Sequence, residues 1–258
     1  MKKKISITVD EEILMRADSL IDRIKIKNRS QAIEQLLRDS LSKSKITTAL
    51  ILVGGSREKL RFGRTYRPLA KVDGEETILH NVKVLARHGI RQVVILGSFL
   101  LPEIEKILGD GKDIGMSIKY VDDKSSGTAG AIKAAKKFVS NDFFVIFGDI
   151  YFDFDLGKMA SFHFSHPGLV TMAVTSTKLD KSRDRLELEG DKVISFEYVP
   201  REKTHIVNAS IFILSHEIFQ HMPQKGSMET DVFPKLSADG KIIAYNFSGK
   251  WRHIGSEN

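Results

Sequence analysis

The chain has no cysteine among its 258 residues. A disulfide framework, a thiolate zinc site and a cysteine nucleophile are therefore excluded, while His and carboxylate sites stay open. Proline is scarce at six residues, and neither it nor the 19 glycines recur with a fixed period, so a fibrous repeat does not fit. Long apolar runs are missing too. Stretches such as Ala49 to Val53 and Phe143 to Phe147 fall far short of the roughly 20 residues that a membrane span needs. Met1 to Lys4 carries the charge of a signal-peptide start, but Ser6, Thr8, Asp10, Glu11 and Glu12 interrupt any apolar segment behind it. The expectation is a cytoplasmic protein with no membrane partner.

What is present is ordinary globular material. A hydrophobic fraction of 41% supplies a core, and 28% charged residues keep the surface wet. The length allows one large domain, or a large one with a small one attached. Net charge is +7 and uneven. Residues 1 to 45 hold 11 Lys or Arg against 7 Asp or Glu, a net of +4, so more than half the excess sits in about a sixth of the chain. That asymmetry suits a small basic module that meets a polyanion, joined to a nearly neutral body.

The first 45 residues read as strand, helix, helix. Lys4 to Val9 alternates polar and apolar, placing Ile5, Ile7 and Val9 on one face and Lys4, Ser6 and Thr8 on the other. Asp10 is a candidate N-cap for a helix of about four turns carrying Ile13, Ala17, Leu20 and Ile24. Asn28 or Ser30 is placed to cap a second helix whose apolar positions are Ile33, Leu36, Leu37 and Leu41. A unit this small cannot satisfy a lone strand, so two copies are expected to pair. The segment resembles the ribbon-helix-helix DNA-binding family. That resemblance implies a homodimer or higher oligomer whose ribbon presents Lys2, Lys4, Ser6 and Thr8 to double-stranded DNA. It also implies that Arg29 and Ser30 clamp a backbone phosphate at the start of the second helix.

From residue 46 to residue 258 apolar runs alternate with amphipathic helices, the pattern of an α/β domain with a mixed, mostly parallel sheet flanked by helices. Strands are expected at Ala49–Val53, Gln92–Leu96, Ser117–Val121, Phe143–Phe147, Val170–Thr175 and Ile211–Leu214, and helices at Thr77–His88, Leu101–Leu108 and Thr128–Phe138. The first strand ends in Gly54-Gly55-Ser56, where missing side chains let amides approach a phosphate, and Arg57, Lys59, Arg61, Arg64 and Arg67 follow. A plain tight turn beside a solvated basic loop explains the same residues. Asp149 sits at the carboxyl end of the fourth strand, the edge where open α/β sheets bind ligands.

These segments resemble the sugar-phosphate nucleotidyltransferase family, which has a Rossmann-like domain. The resemblance is carried by Gly54-Gly55, Arg67-Pro68-Leu69, Val72-Asp73-Gly74, Gly127-Thr128-Ala129-Gly130, Gly148-Asp149, Val207-Asn208-Ala209, Glu229 with Asp231-Val232-Phe233-Pro234, and Trp251 with Ile254-Gly255. It implies a bound nucleotide or nucleotide-sugar and Mg²⁺. In that reading Gly54, Gly55 and Ser56 with Gly127, Thr128, Ala129 and Gly130 hold the nucleotide, Asn208 and Glu229 face the sugar, Asp149 binds the metal, and Lys59 and Arg67 serve catalysis. The departures fall at those positions. Arg57, Glu58 and Lys59 stand where the family has Gly, Thr and Arg; Arg67 replaces a Lys; His253 replaces the second metal-binding Asp; and Tyr198-Val199-Pro200 lacks a sugar-phosphate Lys. Since phosphoryl transfer depends on positioned positive charge, these losses weigh on turnover more than on binding. The expectation is accordingly a DNA-binding transcriptional regulator whose large domain senses a nucleotide or nucleotide-sugar. The alternative is an active sugar-1-phosphate nucleotidyltransferase with an N-terminal DNA-binding or dimerisation module.

Overall fold

The computed structural model describes residues 6–22, 26–42, 46–124, 127–176, 184–198 and 206–255. Two compact units are present, Met1–Ser44 and Lys45–Asn258.

In the first unit Ser6 to Val9 carries no strand ladder within the chain. A strand is stable only with a partner, and among the described residues Ser6 to Val9 has none; Lys4 and Ile5, where the expected alternation begins, lie outside them. Helix α1 (Glu11–Asp18) starts where Asp10 accepts the amide of Glu12 at 2.9 Å. It runs two turns rather than the four expected. Ala17 is its buried residue, while Ile13 and Leu20 stay 55% and 39% exposed. Helix α2 (Arg29–Ser42) is capped by Asn28, whose Oδ1 accepts the amide of Gln31 at 3.0 Å.

In the second unit β1 (Thr48–Leu52) leads through α3 (Arg57–Leu60) to two small hairpins, β2 (Arg61–Phe62) with β3 (Thr65–Tyr66), and β4 (Lys71–Val72) with β5 (Glu75–Glu76). Then come α4 (Thr77–Arg87), β6 (Gln92–Gly97), α5 (Leu101–Leu108), β7 (Ser117–Asp122), α6 (Gly127–Ala134), β8 (Phe143–Phe147), β9 (Ile150–Phe154) and α7 (Leu156–Ser165). The remainder is β10 (Val170–Ser176), β11 (Asp184–Glu189), β12 (Lys192–Tyr198), β13 (Ile206–Leu214), α8 (Phe233–Ala238), β14 (Ile242–Asn246) and β15 (Gly249–His253). Helix α6 stops at Ala134, and a separate 3₁₀ turn takes Lys136–Phe138, where a single helix was expected to run through.

Nine strands form one mixed sheet in the order β11-β12-β14-β10-β13-β8-β1-β6-β7. The run β8-β1-β6-β7 is all parallel, whereas β13 is antiparallel to both β8 and β10. Alternation along β1 sends Ala49, Ile51 and Val53 into one apolar layer and Leu50 and Leu52 into the other, so both faces are covered. The carboxyl ends of β1, β6, β7 and β8 therefore share one edge. The beginning of β13 lies at that edge too, because Ile211 pairs with Ile146 and the strand runs the opposite way.

Candidate active site

The loops after β1, β7 and β8 leave that edge with residues singled out from the sequence, and the loop after β6 adds Phe99. After β1 the chain turns at Gly54 and Gly55 into the short α3. Ser56 caps the short α3, its Oγ accepting the amide of Lys59 at 3.3 Å. The Glu58 carboxyl is held below its ordinary value by its own backbone amide, then by Ser56 and the charge of Arg57. The Arg57 guanidinium packs over the Phe99 ring, 4.5 Å from the centroid, and Phe99 meets Tyr66 edge-on at 5.1 Å. Gly55, Ser56 and Lys59 remain exposed. Asp123, just past β7, lies so close to Gly54 that any Cβ there would collide with its carboxylate.

Past β7, Gly127 holds φ +79, and a Cβ on it would collide with the carbonyl of Gly226. The amide of Ala129 donates to that same carbonyl at 3.0 Å, so α6 begins in close backbone contact with a distant loop. Thr128 tightens the join. Its hydroxyl donates to Oε2 of Glu229 at 2.9 Å and accepts the amide of Met228 at 2.8 Å. Ser227 donates its hydroxyl to the same carboxylate oxygen and caps the π-type turn Met228–Val232 by accepting the amides of Glu229 and Thr230. Single π turns of this kind are frequent at functional sites. The structure thus brings Gly127, Thr128 and Glu229 together, with Ala129 and Gly130 buried behind them.

At the end of β8, Oδ2 of Asp149 faces Nη1 of Arg67 at 3.3 Å and Nε2 of His253 at 3.2 Å. Pairing of β15 with β9 brings His253 there, and the amide of Ile254 donates to the Asp149 carbonyl at 2.8 Å. Burial pushes the Asp149 carboxyl up. The hydrogen bond and charge of His253, followed by those of Arg67, outweigh it and hold the group below the ordinary Asp value. An ionised carboxylate only accepts, so the ring nitrogen facing it is the one that carries hydrogen. On β13, Asn208 is buried, and its Oδ1 accepts the amide of Ser210 at 2.8 Å. Trp251 donates Nε1 to the carbonyl of Ala209 at 2.9 Å, fixing β15 beside that strand.

These residues fit Mg²⁺ poorly. A hard dication wants several oxygen ligands. Here one carboxylate is engaged by a guanidinium and an imidazole. Among the described residues no group of three or more His, Cys, Asp or Glu side chains converges on a point.

In the N-terminal unit Ser6, Thr8 and Ser30 are exposed, and Lys2 and Lys4 lie outside the described residues, as do Val199 and Pro200 in the large domain. Arg29 does not stand ready for a phosphate. Its Nε donates to Asp18 Oδ1 at 2.7 Å and its Nη2 to Oδ2 at 2.5 Å, a two-pronged pair. Among the described residues no helix is long and apolar enough to cross a membrane.

Sequence reasoning passed over Asp123, Phe99 and Ser227. The signal available for Ser227 was local, a hydroxyl followed by Glu229 and Asp231, with Asp231 Oδ2 accepting the Ser227 amide at 2.7 Å. Nothing short-range pointed to Phe99 or Asp123.

Known proteins bear on this arrangement. The family of nucleotidyl transferases matches residues 48–258. The mannose-1-phosphate guanylyltransferase catalytic subunit beta of Drosophila melanogaster is 30% identical over 220 residues, covering 81% of this chain and 59% of that protein. The mannose-1-phosphate guanylyltransferase of Mycobacterium tuberculosis is 29% identical over 218 residues, covering 81% and 61%. The chain thus spans about three fifths of the length of these relatives. Among solved structures, HddC from Yersinia pseudotuberculosis superposes with a TM-score of 0.68 at 24% identity, over 81% of this chain and 94% of that one. The inositol-1-phosphate CTP transferase of T. maritima gives 0.67 at 18%, over 83% and 91%. At these identities the likeness is one of fold.

Proposed function

The chain belongs to the nucleotidyl transferase family, and from that premise we propose that it joins a nucleoside triphosphate to a sugar 1-phosphate, releasing pyrophosphate. The expectation of a DNA-binding regulator with a sensing domain is corrected here. The relatives matching the large domain carry the names of enzymes. In the N-terminal unit the guanidinium expected to clamp a DNA phosphate is taken by Asp18.

The observation that carries the proposal is the convergence of Arg67 and His253 on Asp149, at the edge where Gly54, Asp123, Gly127 and Asn208 also lie. In the reaction a phosphate oxygen of the sugar 1-phosphate attacks the α-phosphorus of the triphosphate. A new P–O bond forms, the bond from the α-phosphorus to the pyrophosphate oxygen breaks, and pyrophosphate leaves with the electron pair. Little covalent work falls to the protein, so placement of positive charge decides the rate. Arg67 is that charge. The Thr128, Ser227 and Glu229 clasp shapes the wall between nucleotide and sugar, with Asn208 on the neighbouring strand. Guanosine triphosphate with mannose 1-phosphate is the first substrate pair to try, after the names of the relatives. Pyrophosphate release is measured beside other nucleotides and sugar phosphates. Release that an Arg67→Ala protein lacks supports the proposal, and no release with any pair refutes it.

The N-terminal unit serves assembly in this reading. Ile7, Ile13, Met15, Leu20, Leu36 and Leu37, six large apolar side chains in a small unit, are all more than a third exposed. Each would be covered by a second copy that also pairs the segment before Asp10. Sedimentation of Leu37→Glu beside the parent tests this: a dimeric parent and a monomeric variant are expected.

A further inference from the structure

The poor fit to a divalent cation has a positive counterpart. We propose that Arg67 and His253 fill the place of the ion at Asp149 and meet a substrate phosphate themselves, so that no metal is held at this carboxylate. The proposal deepens the nucleotidyl-transfer reading above and rests on it.

Both nitrogens address the same oxygen. Nη1 of Arg67 is 3.3 Å and Nε2 of His253 3.2 Å from Oδ2 of Asp149, and the three side chains are only 15 to 31% exposed. A cation binding there would have to displace both donors. It would then sit beside a guanidinium that stays charged at any working pH, and Coulomb repulsion at such a distance in a partly desolvated site is large. The formal charges of Asp149 and Arg67 cancel, so this pair by itself offers no net negative charge to a dication. The guanidinium, in contrast, suits a phosphate. It can donate to two phosphate oxygens from its planar fork while Asp149 fixes its orientation. Its Nε is buried and has no hydrogen-bond partner among the described residues, a donor left for an incoming group. The paired strands β9 and β15 set His253 opposite Ile150, next to Asp149, and the Ile254 amide donates to the Asp149 carbonyl, which makes the cluster a built feature.

The test is a titration of the full chain with MnCl₂ alone, read by electron paramagnetic resonance, on the parent and on His253→Asp, Arg67→Gln and Asp149→Asn. His253→Asp creates two facing carboxylates, and one Mn²⁺ per chain is expected to bind at least about tenfold more tightly than to the parent. Arg67→Gln removes the repelling charge without adding a ligand and is expected to tighten Mn²⁺ severalfold, which keeps the test decisive if His253→Asp does not fold. A parent that binds one Mn²⁺ per chain and loses it in Asp149→Asn overturns the proposal. So does a folded variant that binds no better than the parent. Because the titration uses no nucleotide, its outcome is independent of the pyrophosphate assay that judges the enzymatic reading.

Discussion

The Thr128 hydroxyl donates to Oε2 of Glu229 across 101 positions of sequence, at 2.9 Å. Neither residue is deeply buried, yet each is fixed by the other: the threonine anchors the start of α6, and the carboxylate anchors the turn that Ser227 caps. A wall of the site is thereby built from two segments that share no local signal.

Thr128→Val keeps the shape and removes the hydroxyl, leaving Glu229 with Ser227 and the Met228 amide without its acceptor. Stability should fall by about 1 to 3 kcal/mol. The value of kcat/KM should fall more than the melting temperature would suggest, because the wall between nucleotide and sugar loosens. Thermal melts and steady-state pyrophosphate release, run together, check both; equal kinetics for parent and variant would remove the clasp from the site.

Arg67→Ala removes the one permanent positive charge shown against Asp149. Loss of a preorganised charge of this kind costs about 10² to 10³ in kcat. Arg67→Lys should recover only part of it, since an ammonium lacks the planar fork. Single-turnover rates across the three proteins give the answer, and full activity in the alanine protein would contradict the role.

Acid should unfold the large domain through identifiable carboxylates. Burial pushes Asp142 up, but the His163 hydrogen bond, the His216 amide and the His163 charge outweigh it, so its folded pKa is lowered. Asp149 is lowered as well, burial again being outweighed by His253 and Arg67. A lowered folded value means stability that is complete above the unfolded value of about 3.9 and disappears as pH falls through the folded values. Urea midpoints measured from pH 6 down to pH 3 should drop steeply below about pH 4. Asp142→Asn should flatten part of that drop, and an unchanged acid limb would show that the pair with His163 contributes nothing.

Gly127→Ala places a methyl against the Gly226 carbonyl at a backbone angle that favours glycine. The cost should be about 1 to 3 kcal/mol from the angle alone, with the collision in addition. Chemical denaturation of the soluble variant measures it. A loss below about 0.5 kcal/mol, the range of an ordinary surface change, would mean that the loop moves aside freely.

The parallel half of the sheet was legible because β1, β6 and β8 are nearly continuous apolar runs, and a strand buried on both faces needs nothing else. Val170 and Ile211 announced β10 and β13 in the same way. Strand β15 was not legible: Gly-Lys-Trp-Arg-His has no apolar period, and it becomes a strand by pairing with β9. The hairpin β11-β12 alternates only weakly, through Leu186, Leu188, Val193 and Phe196, of which Leu186, Val193 and Phe196 are buried. In the site, glycines and an aspartate at strand ends marked positions, since backbone constraints act locally. What those positions do was hidden, because the partners of Arg57, Thr128 and Asp149 come from elsewhere in the chain. The ribbon expected at Lys4 to Val9 pairs two copies, so its partner strand is not in one chain's sequence.

Strand β15 carries a consequence for the order of events during synthesis. The first strands of the large sheet to emerge, β1, β6 and β7, are neighbours in it and can pair as soon as they clear the ribosome. Strand β8 follows and brings Asp149 beside a core already forming. His253 arrives last, on a strand whose only partner in the described chain is β9. Until then the acidic group faces Arg67 alone. A nascent chain halted after β14 but before residue 253 therefore holds all nine strands of the large sheet while Asp149 still lacks its imidazole partner.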